Sequence, residues 1–266
     1  MAGRLLAARV SVDRLGCALF ATGLLLLPTL VSAGQGAVAS CPGSGARVYA
    51  RADEGDYRCE LAQQFTDRGV DMSTGAGASV SRELGRPYAT RLQLAGTAEL
   101  PRASIHLLLE ALPDTARLIN IYEGTRYEVQ YLDDAGTRFF ATNNRNMSAV
   151  FTRFRTLYPD RTSRYLMFEN GEAKFLFWHF KGSAVVELGL VESEEETEFQ
   201  ASLHIFTDSK RFHSFFQSGI FRYIVKSVVL RIIGDMADAA NHLIESDREF
   251  STLDPSFVSR LRASAH

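Results

Sequence analysis

Six histidines, three cysteines and one tryptophan are the side chains of this 266-residue chain whose chemistry depends most on spacing. His106 and His213 fall in helical patterns, His179 and His204 in alternating ones. No HExxH motif and no Cys/His pair at ligand spacing unites them, so no metal site is expected and each is taken as a hydrogen-bonded or exposed histidine. No GxSxG elbow presents a nucleophile. Gly75-Ala76-Gly77-Ala78 lacks the flanking strand and helix of a dinucleotide fingerprint. The five glutamates between Glu192 and Glu198 lack the alternating oxygen ligands and central glycine of a calcium loop, and a solvated turn is expected. No catalytic residue and no cofactor is therefore assigned. An enzyme of the cyclase or isomerase kind would need buried polar groups converging in an apolar cavity, and Glu128, Glu187, Arg126 and His204 are the candidates for that.

Aromatic surface is what the sequence offers instead, with 18 Phe and 9 Tyr. Trp178 sits in Phe175-Leu176-Phe177-Trp178-His179-Phe180. Strand alternation sends Leu176, Trp178 and Phe180 one way, and Phe175, Phe177 and His179 the other. Tyr127 and Tyr131 share one face of an earlier strand, and Tyr223 and Ile224 belong to a helical apolar stripe. These seven residues, Trp178, Tyr127, Tyr131, Leu176, Phe180, Tyr223 and Ile224, are the expected lining of a site for a flat or isoprenoid apolar molecule. The plainer reading is ordinary core, since every core needs bulk.

The N-terminus reads as an address. Arg4, Arg9 and Arg14 precede a charge-free run from Leu15 to Ala33, and small residues give cleavage frames after Ala33 or Ala39. This is the pattern of a secretory signal; a retained membrane anchor is the alternative, because the run is near spanning length. Removal through Ala39 takes three Arg and one Asp, leaving 26 basic and 30 acidic side chains and a net charge of −4. Such a balance excludes the basic face that nucleic-acid binding requires. Export also leaves Cys41 and Cys59 as an even pair, for which a disulfide is expected. Val38-Ala39-Ser40-Cys41 competes with that reading as a lipobox, in which Cys41 would be lipidated and unable to pair. Asn146-Met147-Ser148 is a glycosylation sequon, relevant only in a eukaryotic host. The expected location is the periplasm or the exterior.

Positioning these residues falls to a recognisable order of elements. Residues 40–86 have a weak pattern and read as a variable lead-in, with a short helix over Tyr57 to Phe65 and loop over Gly69 to Gly77. Pro87 opens a strand over Tyr88 to Leu94. Two short helices follow Pro101, the second ended by Gly124. Strands are expected over Arg126 to Leu132 and Thr137 to Thr142, joined by a turn at Asp133 to Gly136. Met147 to Tyr158 suits strand or helix. Arg164 to Phe168 is followed by Glu169-Asn170-Gly171-Glu172, a hairpin signal, and then by Ala173 to Phe180 as a strand apolar on both faces. Ala184 to Leu190 and Phe199 to Ile205 complete the run. A helix from about Ser209 to Glu245, able to bend at Gly219, precedes a polar tail over 248–266 that is expected to fray.

This order, over Pro87 to Asp247, resembles the START-like (SRPBCC, helix-grip) superfamily; no residue motif carries the likeness. The resemblance implies an α+β fold, an antiparallel curved sheet of about six to seven strands wrapped around a long C-terminal helix, with an apolar cavity between them. It implies a hydrophobic small molecule (lipid, isoprenoid or polyketide-like) as partner, transient membrane contact during transfer, and no catalytic residue in common. A structural or partner-binding envelope protein with a filled core, and a cyclase-like enzyme, are the competing functions.

Overall fold

The computed structural model describes residues 37–41, 47–50, 57–124, 126–143, 147–158, 162–175, 178–192, 196–246 and 250–264. The apolar segment from Leu15 to Ala33 and Leu176 lie outside the described residues. Among those described, no helix is long and apolar enough to cross a membrane.

Two short strands, β1 (Ala37–Ser40) and β2 (Arg47–Ala50), pair antiparallel and lead into helices α1 (Tyr57–Thr66) and α2 (Gly75–Leu84). Helix α2 starts inside the stretch read as loop. Gly77 permits this: a Cβ there would lie 2.0 Å from the Asp71 carbonyl oxygen. Strand β3 (Tyr88–Ala98), helices α3 (Arg102–Glu110) and α4 (Leu112–Glu123), and strands β4 (Glu128–Tyr131), β5 (Arg138–Thr142), β6 (Met147–Arg153), β7 (Thr162–Phe175), β8 (Trp178–Glu192) and β9 (Thr197–Thr207) follow. Helices α5 (Lys210–Phe216), α6 (Gly219–Glu245) and α7 (Pro255–Ala263) close the chain. Strands β3 to β9 form one antiparallel curved sheet in the order β3-β9-β8-β7-β6-β5-β4, with α6 as the long C-terminal helix. The expected α+β helix-grip arrangement is therefore present.

Several local signals behave as their chemistry predicts. Gly124 ends α4 at φ +59, the left-handed cap that glycine tolerates. Asp133 closes the β4–β5 turn by accepting from Thr137 N at 2.8 Å and from the Thr137 hydroxyl, and these bonds, the hydroxyl's foremost, hold its carboxyl below the usual range. Met147–Arg153 resolves as strand because it finds partners on both sides, β5 and β7.

The Asn170-Gly171 hairpin is a correction. Strand β7 runs straight through it, with Gly171 opposite Gly182 of β8, and the turn comes only after Phe175. The expected strand Ala173 to Phe180 is thus divided between β7 and β8, and Phe175 stands opposite Trp178 rather than on a face decided by a common strand. Gly171 is needed for a different reason than positive φ. A Cβ there would lie 2.4 Å from Ser148 O and 2.5 Å from Ala149 Cβ, so β6 and β7 approach only across a residue without a side chain. Gly171→Ala is expected to cost about 1–3 kcal/mol through this overpacking, whereas Gly182→Ala, with nothing within 4 Å, should change stability by less than about 1 kcal/mol. Urea unfolding of the two variants checks the contrast.

Two hydrophobic cores flank the sheet. The inner one joins α3, α4, the end of α6 and α7 to Ala98, Tyr165, Leu190 and Phe199. The polar tail does not fray as expected: α7 buries Phe257 and Leu261 in this core, its first turn capped by Asp254. The outer core packs Leu61, Phe65, Met72, Val80 and Leu84 of α1, α2 and their connection against Ala89, Leu166, Phe168, Val185 and Phe206. The lead-in is therefore a packed layer over the outer face. The Cys41–Cys59 disulfide, with Cα atoms 5.3 Å apart, ties it together. With the Cys41 sulfur in that bond, the thiol a lipid anchor would need is taken.

Candidate functional site

Sheet parity sorts the side chains into two environments. On β7, Leu166 and Phe168 enter the outer core, while Tyr165, Met167 and Glu169 point to the inner side shared with α6. Cross-strand pairing extends the inner face: Leu188, Val186 and Ala184 on β8, Ala201, Leu203 and Ile205 on β9, and Leu94 on β3. On the other flank, Phe151 of β6 lies opposite Glu169 and stacks on Phe139 of β5 at 5.0 Å between centroids.

Helix α6 roofs this floor. At one end, His213 of α5 meets Thr90 Oγ1 at 3.4 Å and lies 5.2 Å from the Tyr88 ring, at the start of β3. At the other, Ile233, Met236 and Ala237 of α6 close on Ala98 at the end of β3. About eighteen helical residues cover roughly 27 Å, close to the distance from Thr90 to Ala98 along β3, so α6 runs alongside that stretch of β3. The expected single helix from Ser209 is broken at Gln217 and Ser218, where the Ser218 hydroxyl accepts from Phe221 N at 3.2 Å as a new N-cap. Phe212, Phe215, Phe216 and Phe221 cluster at this corner.

The two halves of α6 differ. Ala237, Ala239, Ala240 and Leu243 are buried, whereas no residue from Gly219 to Ile232 is. The floor is mixed: Leu94, Met167, Val186, Ala201, Leu203 and Ile205 are only half-buried, while Thr90, Leu92 and Ala184 on the same face are buried. Outward residues of the same strands, Leu166, Phe168, Val185 and Phe206, are sealed. The sheet is thus closed where α1 and α2 cover Leu166, Phe168, Val185 and Phe206, and partly open over the aliphatic patch on the opposite face. Toward the buried half of the helix the space narrows to a cavity of about 50 Å3, lined only by apolar side chains such as Leu100, Leu108, Leu190, Phe199, Ile233 and Met236. Gly96 makes room there, since a Cβ would meet the Phe199 ring at 2.7 Å.

Glu169 is the carboxyl on this floor, half-buried like the aliphatic residues around it. It has no hydrogen bond or ion pair among the described residues. Burial among protein atoms pushes it up to about 7. An acid whose folded value lies above its unfolded one destabilises the fold as it ionises. The cost is absent below about pH 4.5, builds through the window up to about 7, and is complete above it. Wild-type stability is expected to fall by about 1–3 kcal/mol between pH 5 and 8, and Glu169→Gln to remove that part of the slope. Thermal unfolding across this range measures it; parallel profiles for the two proteins would show that the carboxyl is not desolvated.

Of the seven residues expected to line a site, Ile224 is half-buried on the accessible half of α6, and Tyr223 beside it is 69% exposed. Tyr127 packs partly buried against the inner core, its backbone N–H donating to Asn120 Oδ1 at 2.8 Å. Tyr131 donates its hydroxyl to Glu110 O at 2.5 Å. Trp178 and Phe180 stand at the β7–β8 tip, opposite Phe175 and Ala173. The structure brings Tyr127 into the inner core and Ile224 to the accessible half of α6, while Leu176 and the side chains of Trp178 and Phe180 lie outside what it describes.

The polar groups named for an enzyme do not converge on this cleft. His204 and Glu187 are on the outer face, joined at 2.6 Å beneath Tyr57, whose ring stacks on His204 at 5.8 Å. Although burial acts to raise Glu187, its bond to His204 and that neighbour's charge outweigh it and hold the carboxyl down. Glu128 and Arg126 are exposed. A cluster that spacing did not reveal is His106 of α3, whose two ring nitrogens bond the Tyr165 hydroxyl and Ser163 Oγ, the latter at 2.6 Å. Ser163 and Tyr165 are buried and desolvation raises the Tyr165 hydroxyl, so the trio pins α3 to β7 rather than meeting a substrate. Its members are 57 and 59 residues apart, beyond any local pattern. Among the described residues no group of three acidic, histidine or cysteine side chains could hold a metal ion.

No protein-family model matches the chain, and neither does any curated protein sequence. Solved structures with similar element arrangements include Ara h 8.0201, at 11% identity over 56% of this chain and 96% of that one, with a TM-score of 0.41. DynU16, from the dynemicin biosynthetic locus, aligns at 12% identity over 57% of this chain but only 47% of its own, with a TM-score of 0.38. CalU16 from Micromonospora echinospora aligns at 16% identity over 66% of this chain and 84% of that one, with a TM-score of 0.33. At these scores the fold assignment rests on strand order and helix placement, not on the likeness.

Proposed function

We propose that this chain binds or transfers an apolar small molecule (lipid, isoprenoid or polyketide-like), held between the inner face of the sheet and the first half of α6. One observation carries the reading: the aliphatic patch of Leu94, Met167, Val186, Ala201, Leu203 and Ile205 stays half-buried on the inner face, whereas Leu166, Phe168, Val185 and Phe206, behind it under α1 and α2, are buried. Apolar side chains that a fold leaves reachable, under a helix that does not bury itself against them, gain free energy when an apolar ligand covers them. The Leu15–Ala33 segment and the Cys41–Cys59 bond support an exported protein acting in the periplasm or outside the cell.

The small volume of the cavity, about 50 Å3, favours a second reading, a filled interior in a structural or partner-binding protein. One experiment separates them. Native mass spectrometry of the purified protein, followed by lipid extraction and addition of a fluorescent fatty alcohol to the stripped protein, is expected to show an extractable apolar adduct and saturable probe binding. Ile224→Asp, on the accessible half of α6, should abolish the binding. No adduct and no probe binding by the stripped wild type would favour the filled interior.

A further inference from the structure

We propose that the molecule bound under α6 is an amphiphile whose polar end is positively charged, a long-chain amine being its simplest form, and that Glu169 receives that end. This rests on the binding reading above and adds the class of ligand.

Glu169 is on β7, the middle strand of the seven. Its cross-strand neighbours are Phe151 and Ala184, and its neighbours along the same face of β7 are Met167 and Gly171. None of these described neighbours answers a carboxylate. Arg153, opposite Met167, already donates to Leu109 O at 2.8 Å and Gly136 O at 3.0 Å. The Tyr165 hydroxyl is engaged with His106. Val186 and Ala184 of β8 and Leu203 and Ile205 of β9 bring no charge. On the roofing helix, Arg222, Tyr223 and Lys226 are exposed. The half-buried Glu169 carboxyl, with apolar neighbours and no partner among the described residues, is partly desolvated in the empty protein, which disfavours its charged form. A cationic head group would remove that cost by pairing with it, whereas an anionic one would add like-charge repulsion. The aliphatic floor on either side of Glu169 then takes the chain of the ligand.

The test compares three probes of equal chain length, dodecylamine, dodecanol and dodecanoate, on stripped wild type and Glu169→Gln at about pH 8, below micelle-forming concentrations. Displacement of a fluorescent fatty alcohol reports each affinity. Wild type is expected to bind dodecylamine at least about tenfold more tightly than dodecanoate, with dodecanol between them. Glu169→Gln should bring amine and carboxylate within about threefold of each other while holding dodecanol unchanged, which also shows the variant to be folded. Dodecanol binding with no preference for amine over carboxylate in wild type overturns this inference and leaves the binding reading standing. A preference that survives Glu169→Gln overturns it too. No binding of any probe by wild type overturns the binding reading, and this one with it.

Discussion

Replacing Phe65 by alanine is expected to lower stability by about 3–5 kcal/mol, the cost of emptying a large buried aromatic site. Phe65 is fully buried, edge-on to Phe154 at 4.9 Å, in the same core cluster as Leu61, Val80, Leu84 and Phe168. That is the loss typical of a residue at the centre of a domain, yet Phe65 comes from a stretch preceding the first long strand. Equilibrium unfolding in urea gives the value, and the variant should still unfold in a single transition, because the layer and the sheet share one core. A loss below about 1 kcal/mol would mean that α1 rides loosely on the sheet.

Breaking the Cys41–Cys59 bond is the second large effect. The cysteines are 18 residues apart, and in the chain-entropy account closing such a loop contributes about 3 kcal/mol. Cys59→Ser should lower the thermal midpoint by several degrees, and a reductant should lower the wild-type midpoint by a similar amount while leaving the variant unmoved. An unaltered wild-type midpoint under reducing conditions would remove the bond from the account of stability. The effect should reach the cleft only weakly, because the bond lies on the sealed side.

Legibility in the sequence followed how local each determinant was. The strand run, the paired helices after Pro101 and the long closing helix were readable from periodicity and from Gly124 and Gly136, whose positive φ serves turns beside them. Asn170-Gly171 misled because its glycine answers a neighbour in space, the backbone of β6, and not a turn in the chain. The outer core escaped notice because α1 has a polar-looking sequence: Arg58 is buried there, donating to Leu84 O at 2.7 Å and Arg86 O at 2.6 Å, so a charged residue does the work of a core one. Glu187 and His204 looked available for chemistry because strand parity alone does not tell which face the helix will take; α1 covers theirs. Glu169 stood inside the supposed hairpin turn, where an acidic residue needs no explanation, and only the register showed it on the inner face.

The contrast between the two halves of α6 carries a kinetic consequence. Amide hydrogen exchange follows the free energy of local opening, which rises with buried apolar contact. Along Gly219–Glu245 protection should therefore be graded within one unbroken helix, low before Ile232 and approaching the global value around Ala239 to Leu243. Fraying from the Ser218 cap inward would then uncover the floor without disturbing the disulfide layer or the inner core. On that picture the rate at which the interior exchanges its contents is decided by the first few turns of one helix, and a protein of high overall stability can still open often.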